Sequence, residues 1–343
     1  MATIGATYLD LIDVAKRTGN NNQIDQVIEM LTELNGILDD AVAVPCNQIT
    51  KHKHTIRTGL PSVAWGKLYQ GIAQSKSQTA QVEDVTGFVE GLSTVDERLL
   101  EISGNEAALR LSEAVSYIES MNKEVAATIF YGDQTTATDE FTGFHPRFND
   151  LSAANGNQII DAGGTGSDNT SIWMVTWGDN ACQMLYPSTT VAGLQREDMG
   201  RQRVLDGNSN PYYVKEEKFT WHVGLAVKDW RFVSRVANID VSNMQAGSVD
   251  LYKFLRQAYY KHYGRRVGQQ SLSSPSNTAM GRTAIYCNAD VLEALDALAT
   301  NQGSSDNYVR LRPVEIQGKE VMTYRGIPIR ECDAILNTEA QIT

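Results

Sequence analysis

From Gln48 to Val82 the chain carries Lys51, Lys53, Arg57, Lys67 and Lys76 and neither an aspartate nor a glutamate. Apolar residues are sparse there, and Gly59, Pro61, Gly66 and Gly71 punctuate it as turn signals. Such a segment cannot bury much of itself. It reads as a long two-stranded excursion from the body, with Val82–Leu92 as the returning strand, and isolated hairpins are marginal in water. It needs another surface to lie on. The whole chain is −11 and this segment is +5, which leaves −16 for the rest.

That acidic remainder repels phosphate backbones and argues against nucleic-acid recognition as the main task. With 42% hydrophobic and 21% charged residues over 343 positions, the chain is of globular class and about two domains long. Cys46, Cys182, Cys287 and Cys332 stand far apart with no C-x-x-C, so reduced thiols of a cytosolic protein are expected rather than bridges or zinc ligands. No apolar run approaches the roughly 18 residues of a membrane span. Asp10 and Asp13 interrupt what an export signal would keep apolar.

Ile24, Val27, Ile28, Leu31, Leu34 and Leu38 follow a 3.6-residue spacing that predicts a helix over Asn22–Leu38, after a shorter one over Ala6–Arg17. This pair, followed by the extended AVAVP, looks like an arm and not a domain. The strongest helix spans Gly104–Phe130, with Leu111, Ala114, Val115, Ile118, Met121, Val125 and Ile129 as its apolar stripe. From Asp96 to Glu124 seven acids face only Arg98, Arg110 and Lys123, so this helix is net acidic. Beyond it, SIWMVTW and QMLYP read as a hairpin, residues 211–240 as two or three long strands, and Asp250–Tyr263 as a helix. Another helix starts at the N-cap Asn288, and VRLRPVEI, EVMTYRGIPIREC and AILNTEAQI read as closing strands. Strands and helices interleave without regular βαβ spacing, which gives an α+β class.

No Walker A, G-x-S-x-G, H-E-x-x-H or EF-hand pattern occurs. Gly163–Gly166 does not sit between a strand and a helix, so it reads as a surface loop rather than a phosphate cradle. His52 and His54 alternate on a strand, a geometry able to bind metal, but no third ligand stands nearby. His145 and His222 have no nucleophile at suggestive spacing. Glu216, Glu217 and Lys218 alternate between solvent and a neighbour, and Trp173, Trp177, Trp221 and Trp230 suit core or interface packing. No constellation demands an enzyme; no catalytic, cofactor-binding or metal-binding residue is assigned.

The order of parts is itself informative. LDLIDVAKRTGNNNQIDQVIEML as arm, HTIRTGLPSVAWGKLYQGIAQSKS as extended loop and YGDQTTATDEFTGFHPRFN after the long helix resemble the major capsid proteins of tailed double-stranded DNA phages, of the Hong Kong 97-type capsid fold. GLQREDMG, KFTWHVGLAVKDWRFVSRVANID and YRGIPIRECDAILNTEAQI are similar to later strands of the branch from short-tailed phages of the epsilon-fifteen kind. The likeness runs over nearly the whole length.

The resemblance implies an α+β capsid fold with N-arm, extended β-hairpin loop, peripheral domain around a spine helix, and axial domain. The divisions expected are 1–47 for the arm, 48–95 for the loop and 96–150 for the peripheral domain with the spine helix. Residues 151–343 are then the axial domain and the returning strands of the peripheral domain. The implied function is an icosahedral shell of hexamers and pentamers enclosing double-stranded DNA without sequence-specific binding. A separate scaffolding protein, a portal and possibly a decoration protein are the implied partners, with no membrane and no cofactor. The virion is the implied location, with assembly in the bacterial host cytoplasm. The basic loop then finds its surface on a neighbour: Lys51, Lys53, Arg57, Lys67 and Lys76 meet acids among Glu106, Glu113, Glu119 and Glu124. A solvated basic loop is the competing reading of those cations. Lys67 and Lys76 have no assignable catalytic acid, so no covalent cross-link is expected. An encapsulin-like compartment is the alternative function, and a cytosolic α+β enzyme a weaker one.

Overall fold

The computed structural model describes residues 9, 33–264, 281–300, 312–316 and 319–343. The expected helix over Ala6–Arg17 lies almost wholly outside them, as does most of Asn22–Leu38. Helix α1 (Gly36–Asp40) and strands β1 (Ala43–Pro45), β2 (Lys51–Gly59) and β3 (Gln78–Asp96) come first. Helix α2 (Glu97–Ser103) follows directly, because Asp96 caps it by accepting from the Arg98 amide. Gly104 ends it at a φ of 68°, where a side chain would be strained. Asn105 then accepts from the Ala108 amide and starts the 26-residue α3 (Glu106–Tyr131).

After the single turn α4 (Phe144–Arg147) the chain becomes strand-rich: β4 (Ile159–Asp161), β5 (Asn169–Trp177), β6 (Cys182–Tyr186), β7 (Leu194–Leu205), β8 (Pro211–Val227) and β9 (Val233–Asp240). Helices α5 (Val241–Gln245) and α6 (Leu251–Lys261) precede β10 (Arg282–Cys287) and α7 (Ala289–Thr300). Strands β11 (Arg312–Ile316), β12 (Lys319–Tyr324) and β13 (Ile327–Glu331) close the order.

Strand β3 has two jobs in succession. Its first part pairs with β2, from Gln78 opposite Gly59 to Val85 opposite Lys51. Its second part pairs with β8, from Thr86 opposite Gly224 to Asp96 opposite Val214. Strand β7 completes the far edge of β8. Helix α3 lies along this sheet, and Gly91 lets it come close, since a Cβ there would stand 2.9 Å from the Tyr117 ring.

Strand β5 is buried at every position. Trp173, Val175 and Trp177 pack on one side with Phe130, Phe144 and the C-terminal half of α3. Ile172 and Met174 pack on the other with Leu251, Leu255, Val291 and Leu295 of α6 and α7. Being covered on both faces, its centre Ile172–Val175 reads as an unbroken apolar run rather than an alternation.

Four expectations change. Asn35 has non-helical angles and forms an isolated bridge to Cys332, so no helix passes from residue 34 into α1. Strands β5 and β6 do not form a hairpin. They meet in parallel at Trp177 and Cys182 only, because β6 is taken up by β1 on one edge and β8 on the other. AILNTEAQI is no regular strand; it makes one bridge, from Glu339 to Asn169, and is otherwise tied by scattered bonds such as those from the Gln341 amide to the Gly166 carbonyl and from the Ile342 amide to Asn238 Oδ1. Trp230 sits in a 3-10 turn, not a strand.

Candidate functional site

The extended loop is anchored by β2 and β3 and is free beyond them. Lys51 and Lys53 reach across the ladder to Glu83 at 3.5 and 3.3 Å. The Lys53 and Lys51 ammoniums hold the Glu83 carboxyl below its ordinary range. Two of the five loop cations are therefore matched at home. Arg57 lines a cleft with Lys228, Asp229, Trp230 and Arg231. Lys67 and Lys76 lie in the exposed stretch between the strands, and among the described residues neither has an acidic partner.

What the tip presents most is apolar. Trp65 is 98% exposed, and Val63, Leu68, Tyr69 and Ile72 stand equally free. Tyr69 holds a left-handed φ of 64°, which turns the chain back at the tip. Sequence reasoning saw these residues only as few; it weighed the cations and passed over Trp65, Leu68 and Ile72.

Helix α3 divides along its length. Ala114 and Met121 pack on Phe219 of β8, Tyr117 stacks on the same ring at 5.6 Å, and Val125 and Ile129 enter the main core. Leu111, Val115 and Ile118, expected in the same buried stripe, are 57%, 45% and 36% exposed. At spacings of four and three residues they form one outward ridge. The sheet covers the Ala114–Tyr117–Met121 side only, which leaves the ridge without a cover among the described residues. Ile102 on α2 is 67% exposed as well.

The acids of α3 are partly committed. Glu106 receives Lys215 Nζ at 2.7 Å and Arg110 at 3.5 Å, and the Lys215 contact foremost holds its carboxyl below the ordinary range. Glu119 accepts the Glu33 amide at 3.0 Å. Glu113 is half-buried near Tyr117, and Glu124 is exposed. Beside them Glu217, buried on β8, is clasped by Arg196 and Arg110, while Lys218 turns the other way to Glu90 at 2.6 Å.

The remaining candidates carry no chemistry. In the Gly163–Gly166 loop the Gly163 amide donates to Asp161 and the Gly164 amide to Asn238, so these donors point inward and cradle nothing. All four cysteines are buried and free, and burial pushes the thiols of Cys287 and Cys332 up to about 12. His145 is pushed down to about 4 by burial and by Arg235, and stays neutral. Among the described residues no group of three or more His, Cys, Asp or Glu side chains is arranged to hold a metal. No described helix is long and apolar enough to cross a membrane.

Comparison with known proteins follows this geometry. A family model described as major capsid protein GP7 matches residues 19–343. The solved capsid structure of bacteriophage Epsilon15 matches over 100% of both chains, at 34% identity and a TM-score of 0.78. The capsid of a native GTA particle is 12% identical, covering 70% of this chain and 98% of that one, at 0.42. The SrpI encapsulin complex from Synechococcus elongatus PCC 7942 is 11% identical, covering 68% and 97%, at 0.43. No curated protein matches.

Proposed function

The chain belongs to the major capsid protein GP7 family and forms the shell of a phage capsid, and from that premise we propose that its extended loop docks on α3 of a neighbouring subunit. One observation carries this reading: the freest side chains of the loop, Trp65, Leu68, Tyr69 and Ile72, are large and apolar, and so is the uncovered ridge Leu111–Val115–Ile118. An exposed apolar patch on a shell-forming subunit marks a contact surface.

Magnitudes rank the two contributions. Full burial of a large apolar side chain is worth about 1.5–3 kcal/mol, against about 0.2–1 kcal/mol for an exposed ion pair. The apolar tip therefore supplies affinity. Lys67, Lys76 and Arg57 steer the loop toward the acids around the ridge, Glu113, Glu119, Glu124 and Glu106, and set its register. Lys51 and Lys53, matched by Glu83, contribute least to the contact. Each contact is modest, and a shell subunit makes several at once.

The test separates these roles. Reversing Lys67 and Lys76 to glutamate should slow assembly and weaken its salt dependence, with the subunit still folded. Replacing Trp65, Leu68 and Ile72 by serine should lower final shell yield at every salt concentration, read by sedimentation. Wild-type yield and salt dependence in both variants would contradict the reading.

The shell so built encloses double-stranded DNA through a wall that does not grip it, supported by the −16 carried outside the loop region. Hexamers and pentamers of this chain, a separate scaffolding protein and a portal, with or without a decoration protein, complete the proposed assembly, formed in the host cytoplasm. The subunit has no enzymatic role of its own, and no covalent cross-link between subunits is proposed. The division into arm 1–47, loop 48–95, peripheral domain 96–150 and axial domain with returning strands 151–343 is kept. The encapsulin-like alternative is less favoured, since the full-length likeness at 34% identity is to a phage capsid.

A further inference from the structure

At the root of the loop, where β2 leaves the body, two imidazoles are buried together. His52 is 8% exposed, the His54 side chain 12%, and their ring centres are 6.4 Å apart. They lie on one face of β2, because alternate strand residues share a face. Asp84 of β3, opposite His52 in the ladder, puts Oδ2 3.7 Å from His54 Nδ1. Only the other oxygen of that carboxylate is taken, and Oδ2 has no hydrogen-bond partner among the described residues. Arg147 of α4 donates to its Oδ1 at 2.8 Å and also to the carbonyls of Thr142 and Leu225. From the end of β8 Lys228 adds a second positive charge, its Nζ held by the Asp179 carbonyl at 2.8 Å. The Cys46 thiol, close enough to feel Asp84, and the Asp179 carboxylate, which acts on Lys228, are further titratable neighbours. Lys51 and Lys53 pair with Glu83, away from the imidazole face. Among the described residues neither ring nitrogen of His54, nor Nδ1 of His52, has a hydrogen-bond partner.

We propose that His52 and His54 make the root of the extended loop a pH-sensitive hinge, closed while both are neutral and opened when they are protonated. With neutral rings the cluster sets Asp84 and Asp179 against Arg147 and Lys228, a net charge of zero. Two imidazoliums raise it to +2 in a space where each carboxylate already answers a cation of its own. Opening the β2 root relieves this, since it returns both rings to water.

Burial foremost, with help from Lys228, holds both imidazoles below their ordinary range in the closed root. In an open root they take protons near the ordinary value of about 6.5. Closure is therefore fully favoured above about pH 6.5 and loses favour as pH falls below it, by up to about tenfold per pH unit for each ring. The consequence for shells, a loop that changes its angle in acid, rests on the docking reading above. The hinge itself does not.

Hydrogen exchange on the full chain, unassembled and in shells, tests it at pH 7.5 and 5.5 with intrinsic exchange rates divided out. Relative to Val125–Phe130 of α3, protection of residues 51–58 and 79–86 should fall at least about tenfold in acid in the unassembled chain. In the His52→Gln, His54→Gln double variant that fall should shrink below about twofold, and in His54→Gln alone it should be intermediate. An unchanged wild-type root, or an equal fall in the variants, overturns the hinge. So does a fall seen in shells alone, which would put the titration at the subunit contact.

Discussion

Arg235 has no solvent exposure, and its charge is met by a residue more than a hundred positions later. Its Nη2 lies 2.7 Å from Glu339 Oε2, Nη1 donates to the Phe148 carbonyl at 2.8 Å, and the guanidinium sits 4.7 Å above the Trp173 ring. Tyr131 donates to the other Glu339 oxygen, and Ser171 bridges both partners. A buried pair of this kind is weak evidence for net stability, but removing one member leaves an uncompensated charge. Glu339→Gln should cost about 3–5 kcal/mol in chemical denaturation of the subunit, whereas Glu124→Gln on the exposed helix face should stay within about 0.5 kcal/mol. Equal costs would refute the clasp. None of this was legible in the sequence. AILNTEAQI reads as a strand by its residue types, and nothing local says that Glu339 serves a distant arginine. The N-cap residues were the opposite case: Asn288 accepts the Val291 amide three positions on, and a contact so short in sequence can be read from the sequence.

Helix α3 shows why the same apolar spacing is only half an answer. Periodicity correctly gave its existence and length, and Ala114, Met121, Val125 and Ile129 do face the chain's own core. Leu111, Val115 and Ile118 obey the same rule and face outward, because periodicity reports that a face is to be covered and not by what. The loop is the complementary case. Its inability to bury itself was visible in its composition, yet the weight placed on five cations passed over how exposed Trp65, Leu68 and Ile72 are. The two halves of the helix should separate experimentally. Ile129→Ala should lower subunit stability by about 2–5 kcal/mol. Leu111→Ser with Val115→Ser should change it by less than about 1 kcal/mol while reducing shell yield. A loss of stability in the outward pair comparable to that of Ile129→Ala would mean the ridge packs within its own chain.

For the whole molecule, the informative quantity is a charge division rather than a total. An overall −11 says little, but +5 gathered on one extended loop and −16 elsewhere describes a subunit that reaches out with one sign and presents the other. The long β3 makes this mechanical: one continuous strand carries the loop at one end and the sheet under α3 at the other. On the proposed docking, each subunit of a closed shell gives its loop to one neighbour and takes another's, a head-to-tail contact that closes into rings. A cryo-electron microscopy reconstruction of the assembled shell tests this most directly. Trp65, Leu68 or Ile72 should lie within about 4 Å of Leu111, Val115 or Ile118 of an adjacent subunit. A loop tip standing in solvent, or seated on a surface that does not include that ridge, would contradict the account.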